Sequence, residues 1–295
     1  MSVKATFYVG AHVPQRKTVV ETMEVLRAVG GNILQLFVAN PRSGKITERG
    51  RARYFAEAGD VRDYCARHDF KLVVHSAYPL NFASDEAESY LVETVLDELA
   101  IAEALGAMGV IVHTGRWAAA RPPTEPQGLA NMRARLLEVL RRSAGTAPRL
   151  ILETSSGAGT ELLPDIAALS AFYADVKAAA GKNGARLALC MDTAHVHAAG
   201  AAPAKALNAL LGAVGSRAVA LVHMNNTPIA RGGHVDRHAA LLDPKGTIGL
   251  PELRAVARLA REAGVPVVME TPETYAAEVP WIRAVRRRAL PRAKK

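Results

Sequence analysis

Several apolar runs in this sequence end at a histidine, an aspartate or a glutamate, the side chains that bind metal ions in proteins. The most informative stretch is LALCMDTAHVH at residues 187–197, because its apolar run leads into Asp192 and His195 follows three positions later. Five other runs end in the same way: KLVVH at His75, GVIVH at His113, RLILE at Glu153, ALVHM with His223, and VPVVME at Glu270. Carboxylates and imidazoles repeated in this way predict a metal centre.

Each of these residues also has a structural interpretation when it is taken alone. An aspartate at the end of a strand can cap the following helix, and a single histidine can satisfy a structural hydrogen bond. Aspartate, glutamate and histidine together make up only 37 of the 295 residues, so composition does not account for one at the end of all six runs. The recurrence favours the metal-centre hypothesis over six separate structural roles.

The elements that would position these residues alternate regularly along the chain. The predicted strands are residues 6–9, 32–38, 71–75, 109–113, 150–153, 187–190, 218–223 and 266–270. Six predicted helices are residues 17–29, 51–68, 129–143, 164–180, 203–214 and 251–263. Two more are a helix capped by Ser84, with Asp85 and Glu86 in its first turn, and a last helix that begins near Tyr275. This alternation indicates an α/β protein with a single (β/α)8 TIM barrel, whose C-terminal strand ends share one mouth.

Composition and charge limit the possible domain organisation and cellular compartment of the protein. A chain of 295 residues with 49% apolar content is long enough for one barrel domain, predicted at 1–282. The remaining residues, 283–295, form a basic tail that contributes seven positive charges to the net charge of +9. The charge is therefore mainly a property of the tail and does not indicate a nucleic-acid groove. With no apparent signal peptide or membrane span and no disulfide framework, we expect a cytoplasmic, non-secreted monomer.

The predicted seventh exit loop adds two further ligand-type residues, because its VDRH segment supplies Asp236 and His238. The chain also contains GAHV, HSAYPLN, LET followed by GAGT, DTAHVHAAG, HMNNT and a late GTIG, in this order. With these motifs the sequence resembles the endonuclease IV family of apurinic/apyrimidinic endonucleases, which are zinc-dependent DNA-repair barrels of the xylose-isomerase-like type. The resemblance extends from GAHV near residue 10 to MET at Glu270, nearly the whole chain.

The resemblance implies three zinc ions per chain and assigns nine ligands to them. The first ion would be held by His75, His113 and Glu153; the second by Glu153, Asp192, His223 and Glu270; and the third by His195, Asp236 and His238. The expected reaction is hydrolysis of the phosphodiester 5′ to an abasic site, leaving a 3′-hydroxyl and a 5′-deoxyribose phosphate. The residues expected to act most directly in catalysis are Glu153, Glu270, Asp236 and His238. The expected partner is double-stranded DNA that contains abasic sites.

The family also inserts side chains into the DNA duplex from the second and third exit loops. Arg42 and Tyr78 match two of those positions, and the resemblance implies that they contact DNA. The sequence departs from the family pattern at three places, because Pro79 replaces a larger aliphatic residue, His197 an aromatic one, and His234 a basic one. These departures concern how DNA is distorted rather than the metal ligands.

Two other functions are compatible with parts of the sequence. Related barrels use one or two metal ions to isomerise or epimerise sugars, but Asp236 and His238 argue against that function because they supply a third metal site. A damaged-DNA-binding protein that keeps its zinc sites without turnover would have the same ligands. The sequence leaves this second alternative open.

Overall fold

The strands of the protein form one closed barrel. The computed structural model describes residues 6–84, 89–117, 125–271 and 274–286. Eight parallel strands pair in chain order, and the first closes on the last. They are β1 (Val9–His12), β2 (Ile33–Leu36), β3 (Lys71–His75), β4 (Gly109–His113), β5 (Arg149–Glu153), β6 (Leu187–Asp192), β7 (Val219–His223) and β8 (Val267–Met269). The predicted (β/α)8 TIM barrel is confirmed.

The described helices surround the strands. They are α1 (Val19–Ala28), α2 (Glu48–His68), α3 (Ser89–Leu105), α4 (Glu125–Arg142), α5 (Ile166–Ala179), α6 (Thr193–Ala198), α7 (Pro203–Val214), α8 (Leu250–Ala263) and α9 (Tyr275–Ala284). The short helix α6 was not predicted, and α2 begins three residues early because Thr47 caps it by accepting a hydrogen bond from the Gly50 N–H. Ser84, the predicted cap, is described, whereas Asp85 and Glu86 of the predicted first turn lie outside the described residues. None of the helices described has the length and apolar character to cross a membrane.

The first strand lies three residues later than the sequence predicted. A Cβ atom at Gly10 would lie only 1.7 Å from the Ile33 carbonyl oxygen, so the glycine allows β2 to approach β1 closely. In the sequence this glycine resembles the end of a strand, whereas in the structure it lies inside β1. His12, predicted to follow the strand, is its last residue and pairs with Gln35.

Alternation along the strands directs the ligand-type side chains into the barrel mouth. A cluster of buried apolar residues includes Val73, Ile111, Ile151, Cys190, Leu221 and Val268. Each of these lies two positions before one of the six ligand-type residues at the strand ends. Side chains at i and i+2 of a strand point to the same face, so the six residues continue the barrel interior toward the C-terminal face.

The last helix contains the first residue of the predicted basic tail. The Arg283 side chain donates hydrogen bonds to the Gly30 carbonyl oxygen and to the side-chain oxygen of Asn32. This arginine therefore fixes α9 against the start of β2. Residues 287–295, which contain most of the predicted tail, lie outside the described residues.

Candidate metal centre

The predicted ligands converge at the C-terminal mouth of the barrel. Their ligand atoms form overlapping groups in which all atoms lie within 4.8 Å of one another. The groups are His75, His113 and Glu153; His75, His223 and Glu270; Glu153, Cys190 and His223; Glu153, Asp192, His223 and Glu270; and Asp192, His195 and His238. Eight of the nine predicted ligands belong to these groups, and the ninth, Asp236, contacts His195.

Glu153 lies at the centre of the cluster and is fully buried. Its Oε1 lies 2.7 Å from His223 Nδ1, while its Oε2 lies 3.3 Å from His75 Nε2 and 3.8 Å from His113 Nδ1. Burial raises the pKa of this carboxyl, but the neighbouring imidazoles of His223 and His113 outweigh burial and hold the pKa well below its usual range. The carboxylate is therefore ionised at neutral pH, with its two oxygens directed at two different sets of imidazoles.

Three of the imidazoles have one ring nitrogen bound to an oxygen outside the cluster of ligands. His75 Nδ1 lies 2.7 Å from the Ser76 carbonyl oxygen, and His195 Nδ1 lies 2.8 Å from the Thr154 carbonyl oxygen. His223 Nε2 lies 2.7 Å from the side-chain oxygen of Gln35. Because a carbonyl oxygen accepts the ring N–H, the other nitrogen of each ring faces the carboxylates and would supply its lone pair to a metal ion on losing its proton. Metal-binding histidines are oriented in this way, so the donor set fits divalent cations such as zinc.

An asparagine connects two of the carboxylates. Asn225 Nδ2 donates to Asp192 Oδ2 at 2.6 Å and to Glu270 Oε2 at 3.0 Å, and its side-chain oxygen accepts from the Glu270 N–H at 2.9 Å. Asp192 Oδ1 accepts from the His195 N–H at 2.8 Å and caps α6. The two roles that the sequence left as alternatives for Asp192 are therefore compatible, since one oxygen caps a helix while the other faces the cluster.

The third predicted group lies at the open side of the mouth. Asp236 Oδ1 lies 3.2 Å from His195 Nε2 and 3.4 Å from His238 Nε2, and the two imidazole nitrogens are 3.4 Å apart. Burial raises the pKa of Asp236, but the hydrogen bond with His195 and the charges of the nearby imidazoles lower it to about 2. The side chain of Asp236 is 43% exposed, in contrast to 0% for Glu153. This group is therefore the part of the cluster most accessible to a large substrate.

The loop between β7 and α8 carries Asp236 and His238 and is attached to α6 by backbone hydrogen bonds. The Gly232 N–H donates to the His197 carbonyl oxygen at 3.1 Å, and the His234 N–H donates to the Ala198 carbonyl oxygen at 3.0 Å. His197 Nε2 also lies 3.1 Å from the Thr247 hydroxyl farther along the loop. Two of the residues that depart from the family pattern, His197 and His234, therefore help to position this loop.

The two predicted DNA-contacting residues lie on adjacent exit loops. The Tyr78 side chain is 62% exposed, and its ring centroid lies 6.1 Å from that of His75. The Tyr78 N–H donates to the Pro41 carbonyl oxygen at 3.0 Å, so the loop that carries Arg42 is joined to the loop that carries Tyr78. Arg42 is exposed. Their contact with DNA stays a prediction.

Several residues that shape the centre were not identified from the sequence. Gln35 and Cys190 lie within strands, and burial raises the pKa of the Cys190 thiol to about 12, which keeps it protonated. Asn225 and Thr154 belong to the HMNNT and LET motifs, so those motifs contained a signal for them. Gln35 is a polar residue in an otherwise apolar strand, and this contrast is the sequence feature that could have identified it.

Comparison with known proteins agrees with the architecture. Residues 23–287 match the model of the xylose isomerase-like TIM barrel family. The probable endonuclease 4 of Streptomyces coelicolor is 31% identical over 94% of this chain and 95% of its own length. The structure of endonuclease IV from Thermus thermophilus superposes with a TM-score of 0.72 at 27% identity, covering 94% of this chain and 98% of that one.

A second solved structure, of a protein from another group, shares the fold alone. A D-tagatose 3-epimerase-like protein superposes with a TM-score of 0.67 at 18% identity, covering 90% of this chain and 92% of that one. The sequence identity distinguishes the two groups, since it is 31% and 27% to the endonuclease IV proteins and 18% to the epimerase-like protein. This chain belongs to the endonuclease IV family of xylose isomerase-like TIM barrels.

Proposed function

We propose that this protein is an apurinic/apyrimidinic endonuclease with three zinc ions held by the nine clustered side chains. It would hydrolyse the phosphodiester 5′ to an abasic site in double-stranded DNA and leave a 3′-hydroxyl and a 5′-deoxyribose phosphate. One observation carries the proposal: Asp236 Oδ1 lies 3.2 Å from His195 Nε2 and 3.4 Å from His238 Nε2, which adds a third set of ligands to those around Glu153.

The charges of the centre support a phosphodiester substrate. Four carboxylates, those of Glu153, Asp192, Asp236 and Glu270, would face three divalent cations, so the loaded centre is net positive and attracts an anionic phosphate. Zinc ions held at such a centre activate water and neutralise the leaving oxygen. Glu153 is placed between two sets of imidazoles and would bridge two of the ions. Asp236 and His238, at the exposed side, would bind the ion nearest the incoming strand.

Two other functions remain to be tested against this proposal. A sugar isomerase or epimerase of the same fold would need one or two metal ions, and the third set of ligands disfavours it. A damaged-DNA-binding protein without turnover would retain all nine ligands. The exposed position of Asp236 favours chemistry over a purely structural site, since a structural zinc site is normally closed.

The proposal is tested with purified protein that has been freed of metal and then reconstituted with zinc. After gel filtration, elemental analysis should give close to three zinc ions per chain. The reconstituted protein should cut a duplex with one abasic site and leave the same duplex without the lesion intact, and a Glu153→Gln variant should be inactive. One zinc per chain together with turnover of a ketose would support the isomerase. Tight binding to the abasic duplex without cutting would support the binding protein.

A further inference from the structure

A large cavity of the described structure lies beside the metal centre and not within it. It has a volume of about 840 Å³ and lies between the exit loops of β1 and β2 and the first turn of α2. Its charged lining residues are Lys17, Lys45, Arg49 and Arg53, and no aspartate or glutamate of the described ranges lines it. A cavity of this size with one sign of charge concentrates anions.

Most of these cationic side chains are free to bind a ligand. Arg53 is held by Gln15, at 3.0 Å, and by Glu57, at 3.6 Å. The side chains of Lys17, Lys45 and Arg49, in contrast, make no hydrogen bond or ion pair with any residue in the described ranges. Three uncompensated cations around one cavity favour the binding of an anion there, because their positive potentials add.

A second observation also indicates a ligand. The His12 side chain lines the cavity, and its Nδ1 atom is buried without a hydrogen-bond partner among the described residues. A buried polar atom without a partner is rare and is commonly satisfied by water or a bound group. Gly50, in the first turn of α2, also lines the cavity, and the partial positive charge of the helix N-terminus acts in the same direction as the side chains.

A single aromatic ring connects the cavity with the metal centre. The Phe37 ring centroid lies 4.9 Å from that of His12, 5.2 Å from that of His75 and 5.3 Å from that of Tyr78. Lys45 belongs to the same exit loop as Arg42. A polyanion that reaches the metal centre past Tyr78 and Arg42 can therefore extend into the cavity.

We propose that this cavity binds backbone phosphates of the DNA strand that flanks the abasic site, with Lys45 and Arg49 as the main contacts. The proposal rests on the proposed function, because it assigns the position of a distant part of the same substrate. Backbone phosphates and free phosphate have the same chemistry, so the test must separate them. Such contacts would contribute affinity and register without reading the base sequence.

The test compares a Lys45→Gln/Arg49→Gln double variant with a Lys182→Gln control, whose exposed lysine lies before β6 at the opposite face of the barrel. Binding to an uncleavable abasic duplex is measured by fluorescence anisotropy between 50 and 200 mM salt. Loss of two phosphate contacts should reduce the slope of log K against log salt by about 2 and weaken binding at least about tenfold. The control should bind the duplex with the affinity and the salt slope of the wild type.

Duplexes shortened on one side of the lesion identify the source of the phosphate. The difference in DNA affinity between the wild type and the double variant should disappear when the duplex arm that enters the cavity is removed. It should persist when the other arm is removed. An unchanged salt slope would overturn the proposal, as would a difference that is the same for every duplex. Saturable binding of inorganic phosphate that the double substitution abolishes, with unchanged DNA affinity, would assign the cavity to a free phosphate. If wild-type protein binds and cuts abasic DNA in these experiments, the proposed function stands whatever the outcome for the cavity.

Discussion

The Nε2 atom of His223 lies 2.7 Å from the side-chain oxygen of Gln35, although the two residues are 188 positions apart in the chain. The amide nitrogen of Gln35 donates to Glu270 Oε1, also at 2.7 Å. Gln35 and His223 are both fully buried. One amide thus fixes the orientation of two predicted ligands of the same ion and determines which nitrogen of His223 is left for the metal.

A Gln35→Ala substitution is expected to weaken zinc binding. It removes the hydrogen bonds that Gln35 makes with His223 and with Glu270, and loss of such an outer contact typically costs about 10- to 100-fold in metal affinity. Competition with a zinc chelator measures the effect. Gln127→Ala, at an exposed position of α4, is the matched control. Equal zinc affinity in the two variants would mean that Gln35 does not orient the ligands.

The third set of ligands is tested by an Asp236→Asn/His238→Ala double variant. The cluster around Glu153 should still bind two zinc ions, but the centre would lose one ion that stabilises charge on the phosphate. Loss of one preorganised electrostatic contact costs about 10²–10³ in rate, so cleavage of abasic DNA should fall by at least about a thousandfold. Asp243→Asn, in the same loop, should remain active. Wild-type cleavage by the double variant with only two zinc ions bound would contradict the tri-zinc mechanism.

Arg42 and Tyr78 are expected to contribute to binding of the distorted duplex. Exposing an abasic nucleotide requires unstacking, which costs a few kcal/mol that side chains entering the duplex can offset. An Arg42→Ala/Tyr78→Ala variant should therefore bind abasic duplex at least about tenfold more weakly while retaining its zinc content. Binding is measured by anisotropy, with Arg141→Ala, an exposed position in the last turn of α4, as the control. Unchanged affinity and turnover would remove both residues from the DNA interface.

The pH dependence of stability should depend on Glu98, a buried residue of α3. Burial raises the pKa of its carboxyl from 4.5 to about 7, although a hydrogen bond from the Ser76 hydroxyl opposes the shift. The folded state therefore holds a proton that the unfolded state has lost, so the stabilisation is complete below pH 4.5 and is lost as the pH rises through 7. Between pH 5 and pH 8 the wild type should lose about 2–3 kcal/mol of unfolding free energy relative to Glu98→Gln.

Urea denaturation of the metal-free proteins at the two pH values measures this difference. Glu24→Gln, at an exposed position of α1, serves as the control. Its free energy of unfolding should change with pH as that of the wild type does. If Glu98→Gln also follows the wild type, then the buried carboxyl does not titrate in this range.

The sequence predicted the positions of the six ligand-type residues at the strand ends, because each position depends on local information, an apolar run followed by such a residue. Asp236 and His238 came from the VDRH motif, which the family resemblance made interpretable. The contacts of Gln35 with His223 and Glu270 could not be predicted, since they join positions 188 and 235 residues apart that only barrel closure brings together. The boundary of β1 was missed for a related reason, because Gly10 is needed only when β2 approaches it.

The most direct test of the account is to map the products of cutting at a single abasic site. A 5′-labelled duplex with one such site is incubated with excess zinc-loaded protein, and the labelled fragment is then offered to a DNA polymerase. The account predicts cutting 5′ to the lesion and a fragment with a 3′-hydroxyl that the polymerase extends, with no cutting by Glu153→Gln. A fragment cut 3′ to the lesion, or an intact strand with the folded, zinc-loaded wild-type protein, would contradict it.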